Sequence, residues 1–135
     1  MFTATTYPGL YWLQHPLSKQ GTAILKPNQY KEAYAIGLHQ RKYPALVQVK
    51  PVIVLRDNNK DVVLNTVALV EQKGLFGINI HHAKMVGTTT VVNKYSAGCQ
   101  VLSSIADFNL LMELAKKHKA LYGNAFTYTL IDEVQ

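Results

Sequence analysis

The sequence predicts a mostly β protein with one main helix, a β-rich α+β domain, and three observations carry that expectation. Valine-rich stretches such as "ALVQVKPVIVLRD" (45–57) alternate in part with period two, the mark of strands. Turn formers recur between them, as in "YPGL", "HPLSKQG", "KPNQ" and "DNNKD". Only one segment, beginning after residue 104, repeats apolar residues at spacings of three and four.

Taken in order, the first 40 residues mix aromatics with turn formers and predict short strands joined by tight turns. Residues 45–57 predict a strand, with Pro51 at an edge position or bulge. A turn over 57–61 leads to a return strand, "VVLNTVALVEQ" (62–72), completing a hairpin. "LFGINIHH" (75–82) predicts another strand that carries two histidines to its end. Ser104, with Asp107 three residues on, has the spacing of a capping box. The apolar positions that follow it, Ile105, Phe108, Leu111, Met112 and Ala115, predict the helix, and Gly123 ends it. "AFTYTLIDEV" (125–134) alternates like a closing strand.

With 135 residues the chain suits one domain, residues 1–135, having a real core. Hydrophobic residues at 48% and charged residues at 16% exclude a disordered chain. No apolar run approaches the roughly 20 residues of a membrane span, and the start, "MFTATTYPGLYW", lacks the pattern of an export signal. The formal net charge is +6, yet the 14 Lys and Arg are scattered and only "KKHK" (116–119) is a cluster. No nucleic-acid motif accompanies the charge. A diffuse positive field of this kind suits polyanions in general, including the carboxylates and phosphates of a bacterial cell wall.

Chemistry concentrates in "INIHHAKMVGTTTVVNKYSAGCQV" (78–101), which holds the only cysteine. A single cysteine forms no internal disulfide. A lone free cysteine is commonly a small buried hydrophobe, but Gly98 before it offers close approach to the backbone. Backbone N–H groups in such a turn can stabilise a developing oxyanion. His81 and His82 lie upstream, and since neighbours on a strand face opposite sides, only one can serve a given site. A thiol is activated by an adjacent base, which makes such a histidine its natural partner. Adjacent histidines without further ligands, and without HExxH or CxxC spacing, predict no metal site. His15, His39 and His118 receive no role.

These residues resemble the catalytic signature of the L,D-transpeptidase (YkuD-type) family, in which a strand-ending Ile-His is followed by a Ser-x-Gly-Cys turn. Ile80-His81 matches the first part and Ser96-Ala97-Gly98-Cys99 the second, with base and nucleophile 18 positions apart (99 minus 81). The resemblance covers the second half of the chain and implies an L,D-transpeptidase-like β-sandwich. It implies Cys99 as nucleophile, His81 as general base, Gly98 and the backbone around Cys99 as oxyanion site, and Ser96 as a catalytic-site residue that holds the turn or hydrogen-bonds within the site. Asn79, His82, Ala97 and Gln100 flank these residues and are the expected substrate contacts. His82 stands where the family has glycine, Ala97 where it has histidine or arginine, and Val101 where an arginine is usual, which bears on specificity. The implied substrates are peptidoglycan stem peptides, cut or joined through a Cys thioester at the bond between a diamino acid and a D-amino acid, with no cofactor and no nucleic-acid partner. The place of action is the bacterial cell envelope, the chain being phage-encoded, separately exported or trimmed. A catalytically inactive wall- or partner-binding module on the same scaffold is the alternative.

Overall fold

The computed structural model describes residues 1–7, 14–15, 22–57, 70–83 and 98–132. Nine strands and one helix are defined among them: β1 (Ala4–Thr5), β2 (Thr22–Leu25), β3 (Asn28–His39), β4 (Tyr43–Gln48), β5 (Val52–Asp57), β6 (Val70–Gly74), β7 (Ile80–His82), β8 (Gln100–Leu102), α1 (Ile105–Tyr122) and β9 (Phe126–Leu130). Among the described residues the class is mostly β, with one long helix.

The strands form a six-stranded mixed sheet, β1-β8-β7-β4-β3-β9, and a three-stranded sheet, β2-β5-β6. All the pairings are antiparallel except β7 with β8. The large sheet curls, since Ala4 of one edge strand and Tyr128 of the other line the same cavity of about 310 Å³, together with Leu111 of α1. Both sheets contribute to one core. Ala23 and Leu25 of β2 and Val52 and Val54 of β5 join Tyr34, Ala45, Leu46 and Ile80 of the large sheet. The helix buries Phe108, Met112 and Ala115 against β4, β7 and β8, the stripe expected from the sequence, with Ile105 and Leu111 at its margins. Ser104 is its N-cap, its hydroxyl accepting from the Asp107 N–H at 3.4 Å. Gly123 ends it at φ +101°, its N–H donating to the Lys119 carbonyl.

Several boundaries differ from the expected ones. The 45–57 segment is two strands in two different sheets, broken at 49–51 with Pro51 exposed. A proline lacks the N–H a ladder needs, so it lies where the chain leaves one sheet for the other. The expected return strand pairs with β5 over Val70–Gly74, and its residues 62–69 lie outside the described ones. Only Ile80–His82 of the 75–82 stretch is strand, because Gln48 holds the preceding residues in another way, described below. The closing strand stops at Leu130. Against the expectation of short strands, β3 runs for 12 residues, with a register shift between Tyr30 and Tyr34 where Glu32 has φ +52°. Such a bulge bends a long strand and raises its twist.

Candidate active site

The site is built where β7 and β8 run side by side. Parallel strands cannot be joined by a tight turn and need a crossover of a dozen or more residues, so the 18-position spacing between His81 and Cys99 has a topological cause. Ile80 pairs with Gln100, His81 with Val101 and His82 with Leu102. Because side chains alternate along a strand, residue 99 falls on the side of Val101, the partner of His81. Ser96 and Ala97 lie outside the described residues.

Cys99 is half-buried just before β8. Its thiol donates to the Gly77 carbonyl at 3.2 Å, and its Sγ accepts from the Asn79 N–H at 3.4 Å. Burial pushes the thiol above its ordinary range, and the Asn79 N–H opposes that shift. Gly98 has φ +129°, and a Cβ there would lie 2.5 Å from the Ala23 carbonyl oxygen. The missing side chain thus lets the turn lie against β2, and the close approach expected for a substrate is taken by the protein's own backbone.

Gln48 at the end of β4 shapes the segment that meets Cys99. Its amide oxygen accepts from the Phe76 and Ile78 N–H groups at 3.2 and 3.0 Å, and its amide nitrogen donates to the Gly74 and Lys50 carbonyls. Side-chain bonds replace ladder bonds there, which keeps 75–79 out of strand geometry. The Gln48 N–H itself donates to Asn79 Oδ1 at 3.0 Å.

That bond orients a chain of groups. With Asn79 Oδ1 accepting, its Nδ2 donates to His39 Nδ1 at 3.0 Å, so His39 carries its proton on Nε2. The His39 ring is stacked on His81, with centroids 4.0 Å apart and planes 14° from parallel. His81 Nδ1 lies 2.8 Å from the His82 carbonyl oxygen. A carbonyl only accepts, so Nδ1 holds the proton and Nε2 presents the lone pair. Tyr43 completes this corner, its hydroxyl donating to the same carbonyl at 3.1 Å and lying 3.3 Å from His81 Nδ1. His39 and Tyr43 face each other because they close the β3–β4 hairpin, whose tip places Gln40 and Arg41 at φ +49° and +60°.

The electrostatics keep this cluster neutral. Burial, then the neighbouring His81 and His82, lower His39 to about 4. Burial lowers His81 as well, against the opposing pull of the His82 carbonyl. Burial raises Tyr43, which remains a protonated donor.

His82 points the other way, as alternation requires. It stacks on Tyr43 at 4.2 Å and meets the Phe108 edge at 4.9 Å, beneath α1. Gln100 is buried, accepting from the Tyr128 hydroxyl at 2.9 Å and donating to the Thr6 carbonyl at 3.4 Å. Of the residues expected at the site, the fold brings together Cys99, Gly98 and Asn79, sets His81 two residues beyond Asn79 on β7 opposite Val101, and turns His82 and Gln100 into the packing. His39, Tyr43 and Gln48 went unforeseen. His39 and Tyr43 are separated by only four positions, a hairpin spacing, but nothing in the sequence ties them to His81, 38 or more residues away. His118 packs against Tyr122 and Phe126, and His15 is exposed.

Among the described residues, no group of three or more His, Cys, Asp or Glu is placed to hold a metal ion, and no helix is long and apolar enough to cross a membrane. Comparisons with protein-family models, with curated proteins and with solved structures find no match.

Proposed function

We propose that the protein is a cysteine-dependent acyl-transfer enzyme of the L,D-transpeptidase type, acting on peptidoglycan stem peptides. The observation that carries the reading is the tautomer of His81. Its Nδ1–H is committed to the His82 carbonyl and its Nε2 lone pair is available, the state a general base needs. The reading is further supported by the parallel pairing of β7 with β8, which puts His81 of the Ile-His pair on the strand beside the one that Cys99 leads into.

In this scheme both partners rest uncharged, because burial raises the Cys99 thiol and lowers His81. Proton transfer then accompanies attack and no preformed ion pair is needed. The thiol proton passes to His81 Nε2 as Sγ adds to the carbonyl carbon, and the Asn79 N–H steadies the sulfur's charge. The resemblance assigns the oxyanion to the backbone around Gly98 and Cys99, next to which the Gln100 N–H donates to the Asn79 carbonyl at 2.9 Å. The imidazolium returns its proton to the leaving amine as the C–N bond breaks, leaving a thioester on Cys99. Water resolves it to an acid, or a second stem-peptide amine resolves it to a cross-link, with His81 again accepting the proton. The site acts at the bacterial cell envelope in this reading.

A second reading, an inactive binding module on the same scaffold, draws on one specific observation: the thiol is tied to the Gly77 carbonyl of its own loop and pushed up in pKa. Digestion of purified peptidoglycan, with the fragments identified by mass spectrometry, separates the two. Release or exchange of a terminal D-amino acid supports the enzyme, and binding without any altered fragment supports the module.

A further inference from the structure

We infer that His39, anchored by Asn79, is a positioning residue that holds the plane of the His81 ring. This rests on the reading of His81 as the base, and it names a part of that machinery which neither the sequence pattern nor the resemblance contains.

A ring stack and four hydrogen bonds carry the inference. His81 is only 3% exposed and His39 only 7%, so the two rings pack against each other out of water, nearly parallel and 4.0 Å apart. His39 is not a loose plate, because Asn79 Nδ2 holds its Nδ1 at 3.0 Å. Asn79 is in turn held by the Gln48 N–H through Oδ1, which fixes which end of the amide faces His39. The same Asn79 touches the nucleophile, its backbone N–H lying 3.4 Å from Cys99 Sγ. One residue therefore links the sulfur to the ring that backs the base. The Nδ1 bond to the His82 carbonyl holds one edge of the His81 ring, but a single edge contact leaves rotation about that bond. The stacked His39 face removes it. The groups acting on His81 are His39 on its face, Tyr43 and the His82 carbonyl at Nδ1, and the His82 ring, whose charge opposes that of His81. His39 stays neutral while His81 cycles between neutral and charged, since its own pKa lies near 4, so the pair never has to hold two positive charges.

The test uses the full chain labelled with ¹⁵N, reading the tautomer and titration midpoint of His81 by NMR, which needs no turnover. His39→Phe keeps a flat ring against His81, His39→Ala removes it, and Asn79→Ala removes the anchor. In wild type, His81 is expected as the Nδ1–H tautomer with a midpoint below 6.5, and His39→Phe, which keeps the ring and loses the anchor, shifts it no more than Asn79→Ala does. In His39→Ala the tautomers mix and the midpoint moves upward as water reaches the ring; Asn79→Ala shifts it in the same sense by less. On stem-peptide substrate, His39→Ala is expected to lower kcat by about tenfold to a hundredfold with KM nearly unchanged, and His39→Phe to restore most of it. An unchanged His81 in His39→Ala, or equal disturbance in His39→Ala and His39→Phe, overturns the inference. Should His39→Ala fail to fold, an unshifted His81 in Asn79→Ala overturns it alone. Absence of wild-type turnover counts against the proposed enzyme and leaves the NMR outcome to judge the positioning role.

Discussion

Cys99 and His81 are held in opposite directions from an activated ion pair, and that difference is measurable. Burial raises the thiol, so at pH 7 less of it is thiolate than in a free cysteine. Alkylation by iodoacetamide is expected to be slower than that of a free cysteine at this pH and to keep climbing above the ordinary thiol range. Faster reaction than free cysteine at pH 6 to 7 contradicts the resting state described. His81 must be neutral to accept a proton, and burial lowers its pKa. The acid limb of kcat/KM is therefore expected below pH 6.5, and a limb above that value contradicts the burial argument. At this scale the sequence was legible for residue types and poorly legible for surroundings. Cys99, Gly98 and His81 stand out in the chain, whereas the hydrogen bonds that set their protonation come from Asn79, Gln48 and His39 through long-range contacts that no local spacing encodes.

Two element-scale features hold the site in shape. At Gly98 the positive φ is costly for any L side chain, and a Cβ would press on the Ala23 carbonyl of β2. Gly98→Ala is expected to lose about 2 kcal/mol or more of stability in urea unfolding, and a loss under about 0.5 kcal/mol contradicts the observed packing. Gln48 binds the 74–79 segment through both ends of its amide. Gln48→Ala leaves the Phe76 and Ile78 N–H groups without that acceptor, with an expected cost of about 1–3 kcal/mol and faster hydrogen exchange at those two amides. Unchanged exchange there contradicts the role. The helix was legible because its cap, apolar stripe and terminal glycine all act locally. The strands were legible in kind but not in extent. Pro51 marked a break that separates two sheets, and β7 is short because a glutamine from another strand competes for its backbone.

The whole molecule couples its stability to pH through the neutral cluster carried by β3, β4 and β7. His39 falls from an ordinary 6.5 to about 4, and His81 is lowered too. A histidine with a depressed folded pKa binds fewer protons folded than unfolded, so stability is present above about 6.5 and declines as pH falls toward the folded value. The slope is at most about 1.4 kcal/mol per pH unit for each such histidine. Urea unfolding at pH 7, 6 and 5 is expected to show this decline, and His39→Phe to flatten it; a flat wild-type profile contradicts the buried neutral pair. The β-rich class was readable from period and turn chemistry, and the order of strands was not, because pairings such as β1 with β8 join residues nearly 100 positions apart. In the proposed reaction Cys99 carries an acyl group during turnover. Intact-protein mass spectrometry after mixing with a purified disaccharide-tetrapeptide detects that group. A thioester adduct mapping to Cys99 is expected, lost in Cys99→Ala and strongly diminished in His81→Ala. Terminal D-amino-acid release that persists undiminished in Cys99→Ala, or an adduct on any other residue, contradicts it.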